Sequence, residues 1–334
     1  MILVCGEALV DLVPVPVGGE AAYLPRAGGS PYNVAVGLVR LGQEVAFLGR
    51  FSHDRFGRLL RDRLTANAVR LLGPPDGGGP TALAVVHLEP GGEPEFAFYG
   101  EGTADRSLAP SDLPAALPEG TAALHFGSIS LVREPGASAF EELMRREAGR
   151  RVISLDPNVR PGLIADRAAY LRRLAGWLAL ADVVKVSRAD LGWIQPGEEP
   201  EAVARAWLAA GPALVAVTRG AEGAIAFTAT DRVAVPGIRV PVADTVGAGD
   251  AFTAGLLAGL AEDGRLDRSR LGELSEAVLE ACLGFANAAA ALTCTRPGAE
   301  PPTREEVAAF ASRDGETAPR AARRATGPAS PGPS

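Results

Sequence analysis

The sequence predicts an α/β fold, in which helices cover a mostly parallel sheet and a small β-sheet lid is attached. Short apolar runs rich in β-branched residues alternate with helical patterns and lie at residues 2–5, 45–48, 152–155, 183–186 and 214–217. Because parallel strands need long crossover connections, this alternation is typical of a parallel sheet covered by helices. Segments of about 8–24 and 81–100 break the alternation and predict antiparallel strands, which would form the lid.

Length and composition fit one large domain. The chain has 334 residues, of which 47% are hydrophobic, and this is enough to bury a sizeable core. We expect the domain to cover residues 1–311, with the two lid segments inserted in it. From residue 312 onward the sequence is rich in Ala, Pro, Gly, Ser and Arg without an apolar period, which predicts a disordered tail at 312–334.

Three helices are indicated by their start signals and apolar faces. The first follows a Gly-Gly pair at 28–29, with Ser30 in position to cap it and Gly42 as the stop. The second begins near Asp54 and has one apolar face. The third covers residues 251–260, whose small apolar side chains predict a helix buried on most sides.

Charge and cysteine usage exclude several classes of protein. A net charge of −7 without a basic block disfavours a nucleic acid or an anionic membrane as partner. No basic region precedes the first apolar run, and no other apolar stretch is long enough to cross a bilayer, so we expect a cytoplasmic protein. Cys5, Cys282 and Cys294 lie far apart in apolar surroundings, which predicts structural thiols rather than disulfides or a metal site.

The run DTVGAGDAF, from Asp244 to Phe252, carries the strongest chemical signal. Gly247 and Gly249 allow backbone N–H groups to face an anion, and the helix that follows adds its positive N-terminal dipole. A carboxylate at Asp250 is then well placed to take a proton from an attacking hydroxyl. Taken alone, the motif fits a glycine-rich turn with an aspartate in the first helical turn equally well.

Polar residues follow three predicted strands directly. The segment 156–160 follows one of them, Ser187 follows the strand that contains Lys185, and 218–220 follows the next. Ligands of open parallel sheets bind at the carboxyl ends of the strands, so we expect these segments to converge on one crevice. A Walker loop is absent and Phe252 interrupts a GxGxxG pattern, which disfavours a P-loop NTPase and a nicotinamide-dependent dehydrogenase.

These motifs together resemble the ribokinase-like, or PfkB-type, family of sugar kinases. The segment GGSPYNVA at 28–35 resembles the N-terminal signature of the family, and 244–252 resembles the C-terminal one. Within the family, the chain is most similar to fructokinases at 6–11, 125–128 and 156–161. The resemblance covers residues 1 to about 310. It implies a three-layer α/β/α domain, a β lid that closes over a sugar, and ATP-dependent phosphorylation of a sugar hydroxyl, most simply that of fructose.

The resemblance also implies a catalytic and a sugar-binding set of residues. Asp250 would be the catalytic base, and the N–H groups of Gly247, Ala248 and Gly249 would stabilise the transferring phosphoryl group. Besides Asp250, the residues expected to bind the sugar are Asp11, Gly28, Gly29, Asn33, Ser128 and Arg160. Three of them also have a plainer interpretation: Asp11 as a strand-edge charge facing water, Asn33 as a polar residue on a helix face, and Arg160 as a surface cation.

A second set is implied for the nucleotide and the metal ions. The residues expected to bind ATP are Lys185, Ser187, Thr218, Gly220, Gly223, Gly249 and Asn287, of which Asn287 fits a partner inside a helix bundle equally well. Mg²⁺ is expected with ATP, and Asp190 would act on it through water, although the SRAD segment departs from the Asn-x-x-Glu form common in the family. A monovalent cation such as K⁺ would be held by Asp244, the carbonyl of Val246 and the loop at 295–298, whereas Asp244 could instead be a turn residue.

Two alternatives for the function and one for the assembly stay open. The acceptor could be 2-keto-3-deoxygluconate, ribose or a nucleoside, and Arg160 would suit an acidic sugar. A sugar-sensing regulatory protein without turnover is a candidate from another class, but it would have no need for Asp250 beside an anion-binding nest. Phe96 and Phe98 give a lid strand an apolar face that could pair two subunits, so a homodimer is expected.

Overall fold

A computed structural model of the chain describes residues 1–18, 20–88 and 94–317. Over these residues the chain forms one nine-stranded and one four-stranded sheet. The strands of the large sheet are β1 (Ile2–Cys5), β4 (Val45–Leu48), β5 (Arg70–Leu71), β8 (Ala123–Gly127), β9 (Val152–Asp156), β10 (Val183–Ser187), β11 (Leu214–Thr218), β12 (Ala224–Phe227) and β13 (Arg232–Val235). The strands of the small sheet are β2 (Leu9–Val17), β3 (Glu20–Gly28), β6 (Leu83–Leu88) and β7 (Pro94–Tyr99).

The large sheet has the order β13-β12-β11-β10-β9-β8-β1-β4-β5. Its strands pair in parallel from β5 to β11, and β12 and β13 are antiparallel additions at one edge. All five predicted apolar runs are strands of this sheet. Strand β8 was missed because His125 interrupts its apolar run. Burial and the nearby Lys185 lower the pKa of His125 to about 3, so it is neutral, and Nδ1 lies 3.0 Å from Ser154 Oγ.

Helices cover both faces of the large sheet. The helices are α1 (Ser30–Arg40), α2 (Arg55–Ala66), α3 (Gly136–Glu147), α4 (Arg167–Leu180), α5 (Arg188–Ile194), α6 (Pro200–Ala210), α7 (Ala248–Glu262), α8 (Arg268–Leu271), α9 (Glu276–Cys294) and α10 (Arg304–Thr317). Alternate residues of β1 belong to two separate cores, one with α1, α2, α7 and α9 and the other with α3 to α6. The fold is therefore the predicted three-layer α/β/α arrangement.

Helix α7 contains the predicted buried segment and packs against α1 and α9. A Cβ at Gly255 would lie 2.7 Å from Ala286 Cα, so the glycine permits a close approach of α7 and α9. Within the described part of the chain, helix α9 has the length and the apolar composition that would be needed to cross a membrane. The expectation that no such segment exists is therefore wrong. The buried side chains of α9, including Leu279 and Leu283, belong to the core beside α7.

The small sheet, here called the lid, consists of two antiparallel hairpins, β2–β3 and β6–β7. The hairpins join through a parallel pairing of β2 with β6, so the expectation of antiparallel strands holds for each hairpin but not for their junction. Strand β3 continues to Gly28, beyond the predicted boundary at 24. The lid therefore leads straight into Gly29, the N-cap residue of α1.

Two predicted boundaries differ in the structure. Ser30 is not the N-cap of α1, because Gly29 occupies that position and makes no side-chain capping bond. Helix α10 continues to Thr317, past the predicted start of the tail at residue 312, and residues 318–334 lie outside the described part of the chain. Asp54 does cap α2, as its position predicted, by accepting a hydrogen bond from the N–H of Gly57 at 2.7 Å.

Candidate active site

Two cavities meet at the N-terminus of α7, where Thr245 and Gly249 line both of them. The lid cavity, of about 310 Å³, is lined by lid strands, by the start of α1 and by turns that follow β8 and β9. Its wall contains the predicted site residues Asp11, Gly29, Asn33, Ser128, Arg160, Lys185, Val246, Gly247, Gly249 and Asp250. The helix cavity, of about 720 Å³, is lined by the loop after β11 and by α9, and it contains Thr218, Gly220, Gly223, Ala248, Gly249 and Asn287.

Asp250 lies in the first turn of α7 and is 7% exposed. Its Oδ1 accepts a hydrogen bond from Ser30 Oγ at 2.7 Å, and its Oδ2 accepts one from Asn33 Nδ2 at 2.8 Å. Burial raises the pKa of Asp250 to about 6, although both hydrogen bonds and the charge of Lys185 oppose the rise. The carboxylate is therefore largely ionised near neutral pH and ready to accept a proton.

The turn before Asp250 has the glycine backbone geometry that the predicted anion-binding nest requires. Gly247 has a left-handed backbone with φ of 77°, and a Cβ there would lie 2.5 Å from Ala299 Cβ, so only glycine fits. The N–H of Ala248 donates to the carbonyl of Thr245 at 3.3 Å. The N–H groups of Gly247 and Gly249 are thus the stronger donors for an anion at this helix N-terminus.

Lys185 supplies a fixed positive charge beside the nest. Its ammonium donates to Asp156 Oδ2 at 2.8 Å, and both side chains are buried. Burial alone would lower the pKa of Lys185, but the attraction of Asp156 raises it above the usual value, so the group stays charged. A Cβ at Gly249 would lie 3.1 Å from Lys185 Nζ, which places the ammonium directly against the shared wall.

Asp11 of β2 is the second carboxylate in the lid cavity. Burial and the charge of Asp250 raise its pKa to about 7, whereas Arg160 lowers it. Gly28 does not line the cavity, and a Cβ there would collide with Asp11 Oδ2. Gly28 therefore leaves space for the side chain of Asp11. Gly29, which has φ of 106°, lines the cavity itself.

Two turns of the lid cavity hold non-glycine residues in left-handed backbone conformations. Ser128, which follows β8, has φ of 59°, and Asn158, which follows β9, has φ of 39°. Such conformations cost free energy and concentrate at functional sites. The exposed Arg160 donates from Nη1 to Asn158 Oδ1 at 2.6 Å and to the carbonyls of Asn158 and Val159.

The helix cavity is built from backbone and apolar groups. Gly223 has φ of 91°, and a Cβ there would collide with the carbonyl of Val235, so the turn after β11 depends on glycine. Asn287 of α9 donates from Nδ2 to the carbonyl of Pro236 at 3.1 Å. The two interpretations of Asn287 are therefore compatible, since it lines the cavity while it holds the neighbouring loop.

The buried carboxylate of Asp250, the glycine turn before it and the buried ammonium of Lys185 thus lie together where the two cavities join. Residues 1–306 match the sequence profile described as pfkB family carbohydrate kinase. The chain belongs to this family. A fructokinase from Rhizobium leguminosarum bv. trifolii is 43% identical over 280 residues, which cover 84% of the chain and 85% of that relative.

Solved structures agree with this family. A fructokinase from Xylella fastidiosa with bound ATP has 33% sequence identity and a TM-score of 0.86, covering 94% of the kinase chain and 98% of its own. A fructokinase from Vibrio cholerae O395, in a form with fructose, ADP and calcium ion bound, has 33% identity and a TM-score of 0.80, covering 92% and 98%. The predicted family, fold and enzyme class are therefore confirmed, and the chain is an ATP-dependent sugar kinase.

Ser187 and Asp190 of the kinase line neither cavity and form a capping box at the start of α5. Asp190 Oδ2 accepts from Ser187 Oγ at 2.7 Å, and Oδ1 accepts from the N–H of Val159 at 3.0 Å. These bonds account for the buried carboxylate without a metal ion. The geometry therefore does not favour the predicted nucleotide contact at Ser187 or the predicted Mg²⁺ role of Asp190.

Asp244 joins the two loops that were predicted to hold a monovalent cation. Its Oδ1 accepts from the N–H of Val246 at 3.0 Å, and its Oδ2 accepts from the N–H of Gly298 at 2.8 Å. Both oxygens thus serve the turn, which was the alternative interpretation. Across residues 1–18, 20–88 and 94–317, no group of three or more His, Cys, Asp or Glu side chains is arranged to hold a metal.

Sequence reasoning missed Glu7, Ser30 and Asn158 as residues of the lid cavity. Glu7 is buried, with Oε1 accepting from the N–H of Ser30 at 3.3 Å and Oε2 from the N–H of Ser130 at 3.2 Å. Burial raises the pKa of Glu7 to about 7. Glu7 and Asn158 lie inside the fructokinase-like segments, and this position could have indicated a role at the site. The hydrogen-bond partners of Ser30 are too distant in sequence to be predicted from motif spacing.

Proposed function

We propose that the kinase transfers the γ-phosphoryl group of ATP to fructose and forms fructose 6-phosphate. The observation that carries the proposal is the shared wall at Gly249, which lies between a small polar cavity and a larger apolar one, with Asp250 and Lys185 beside it in the smaller cavity. Two reacting groups held on either side of that wall would meet at the nest. The fructokinase relatives support fructose as the acceptor.

Asp250 acts as the general base of this reaction. Its carboxylate accepts the proton of the sugar hydroxyl, whose oxygen forms the new bond to the γ-phosphorus while the bond to the β-phosphate oxygen of ADP breaks. The N–H groups of Gly247 and Gly249 and the ammonium of Lys185 stabilise the charge on the transferring group. Because these donors are fixed before the substrates arrive, little reorganisation is needed during transfer.

The sugar binds in the lid cavity. Asp11 accepts hydrogen bonds from sugar hydroxyls, and its burial strengthens such charge-assisted bonds. The remaining contacts are proposed for Gly29, Asn33, Ser128 and Arg160, all of which line this cavity. The lid strands exclude water, which would otherwise compete with the sugar as phosphoryl acceptor.

ATP binds in the helix cavity, with its adenosine among the apolar groups of α9 and its phosphates toward Gly249. Thr218, Gly220, Gly223 and Asn287 line this path. Mg²⁺ would bind together with ATP and would offset the negative charge of the phosphate oxygens during transfer. A monovalent cation near Asp244 and the carbonyl of Val246 is part of the proposal, tested by activity with and without K⁺.

We also propose a cytoplasmic homodimer. The described cysteines Cys5, Cys282 and Cys294 are free thiols, as expected in a reducing compartment. Tyr23 and Tyr99 of the lid are 43% and 63% exposed, which supports an apolar lid surface for a second subunit. The side chain of Phe96 lies outside the described residues. Sedimentation at assay concentration tests the dimer, and a monomeric mass would contradict it.

The function is tested by ADP release from ATP with a panel of ketoses, aldoses, sugar acids and nucleosides, with NMR identification of the phosphorylated carbon. We expect the highest kcat/KM with fructose and a 6-phosphate product. Activity confined to sugar acids, ribose or nucleosides would replace fructose as the substrate. Binding of a sugar without any turnover would favour the sensor over the enzyme.

A further inference from the structure

The base of the kinase is held by helix α1, which lies more than two hundred residues earlier in the chain. Ser30 Oγ donates to Asp250 Oδ1 at 2.7 Å, and Asn33 Nδ2 donates to Oδ2 at 2.8 Å. All three side chains are buried. The two carboxylate oxygens thus each accept one short bond from a neutral donor, which fixes the plane of the carboxylate relative to the lid cavity.

We propose that Ser30 is a positioning residue for catalysis, whose hydroxyl orients the carboxylate of Asp250 and favours its ionised form. This inference rests on the proposed role of Asp250 as the base. A hydroxyl that donates to a carboxylate stabilises the charged form over the neutral one. Ser30 acts through Asp250 and not on the reacting atoms.

Helix capping does not explain the hydroxyl of Ser30. A serine at the start of a helix usually turns its oxygen back to an N–H of the first turn. Here Gly29 is the N-cap residue and no side chain caps α1, so the Ser30 hydroxyl is free for Asp250. The local sequence favours a capping role for this serine, whereas in the fold its hydroxyl donates to Asp250.

Ser30 is also fixed through its backbone. Its N–H donates to Glu7 Oε1 at 3.3 Å, and Glu7 Oε2 accepts from the N–H of Ser130 at 3.2 Å. Glu7 therefore ties the start of α1 to the turn that carries Ser128. With its N–H and its hydroxyl both engaged, Ser30 has little freedom to move away from the base.

The charges around Asp250 make this donor important. The ionisable groups near Asp250 or in the same cavity wall are Glu7, Asp11, Asp156, Arg160 and Lys185. Burial, Asp11 and Asp156 all disfavour a negative charge on Asp250, and Lys185 is the cation that directly favours it. Burial raises the pKa of Asp250 to about 6 with both hydrogen bonds in place. Without one bond to the charged form, we expect a further rise of about one to two units.

The test is the pH profile of kcat at saturating sugar, in the wild type and in Ser30→Ala, because the bound sugar then covers Asp11, whose own pKa of about 7 would enter a kcat/KM profile. In the wild type, the acidic limb should report Asp250 near pH 6. In Ser30→Ala, the limb should move to about pH 7–8, so that the loss of activity is large at pH 6 and much smaller at pH 9. A serine with only a structural role would lower activity in parallel at all pH values and leave the limb in place.

Thr121→Val is the matched control. Its hydroxyl is equally buried but donates to the carbonyl of Pro118 at 2.7 Å, and neither cavity wall includes it. Its pH profile should keep the limb of the wild type. Ser30→Cys provides a second variant of similar size, whose weak S–H donor should also move the limb upward.

A direct titration separates this inference from the proposed function. The carboxyl ¹³C signal assigned to Asp250 by its absence in Asp250→Asn can be titrated without turnover in the wild type, Ser30→Ala and Ser30→Cys. An upward shift in the Ser30 variants but not in Thr121→Val supports the inference, whatever sugar the kinase uses. A pKa within about 0.3 units of the wild type in both Ser30 variants would overturn it. An Asp250→Asn enzyme with full turnover would instead overturn the role of Asp250.

Discussion

The two cavities of the kinase are built on different principles. The lid cavity, about 310 Å³, contains Glu7, Asp11 and Asp250, whose pKa values burial raises to between about 6 and 7. The helix cavity, about 720 Å³, is lined by glycine turns and apolar side chains such as Ile238 and Val242. In the proposed function, directed polar groups would therefore select the sugar, whereas cavity shape and backbone groups would hold ATP. Substitutions should therefore be costly and specific in the first cavity and mild in the second.

The largest contrast is expected for Asp250→Asn. The amide keeps the shape of the side chain but cannot accept the proton, so kcat should fall on the order of 10²- to 10⁴-fold. The dissociation constant for ATP, measured by calorimetry, should stay within a few-fold of the wild type. Asp263→Asn, at the other end of α7, is the control and should retain kcat. Equal losses in ATP affinity and kcat would contradict the assignment of the two substrates to separate cavities.

Gly28→Ala should weaken binding of the sugar, although Gly28 does not line the lid cavity. The new methyl group would displace the carboxylate of Asp11, so the charge-assisted bonds to the sugar would be lost. We expect kcat/KM for the sugar to fall by roughly 10- to 100-fold with little change in the KM for ATP. Gly192→Ala in α5, where an added Cβ meets no atom within 4 Å, is the matched control. An unchanged sugar KM in Gly28→Ala would contradict the role given to Gly28.

Acid should affect the lid cavity before the helix cavity. Burial raises the pKa of Asp250 to about 6, so its proton-accepting form is present above that pH and is lost as the pH falls. At pH 5, kcat/KM should be about tenfold or more below its plateau, since Asp11, at about 7, titrates in the same direction. Glu222 of the helix cavity has its pKa lowered by a hydrogen bond from Arg188, so it stays ionised. An ATP affinity that falls as steeply as turnover would contradict this difference.

The smallest effect is expected for Asn287→Ala in the helix cavity. The substitution removes one hydrogen bond, to the carbonyl of Pro236, and loosens the loop beside the nucleotide. A loss of about 1 kcal/mol corresponds to a rise of roughly fivefold in the KM for ATP. The KM for the sugar serves as the internal control and should not change. A larger effect on the KM for the sugar than on the KM for ATP would contradict the assignment of Asn287 to the nucleotide cavity.

The sequence predicted those parts of the molecule that local patterns determine. Five strands and the nest at 247–249 follow from apolar runs and glycine spacing. The parallel pairing of β2 with β6 could not be predicted, because it depends on how two hairpins separated by residues 29–82 meet. Ser30 was assigned as a cap because local sequence favours capping, whereas its hydroxyl donates to Asp250. Asp190 was assigned to Mg²⁺ by its position in a segment that departs from the family form, whereas the fold supplies protein donors to both of its oxygens.

At the junction of the lid with α1, the number of residues in the segment matters for function. Three consecutive residues have three separate tasks there: Gly28 admits Asp11, Gly29 turns the chain, and Ser30 holds the base. A substitution would disturb one of these tasks, but an inserted or deleted residue would shift all three against their partners at once. We therefore expect an inserted or deleted residue in this segment to cost more activity than any single substitution within it.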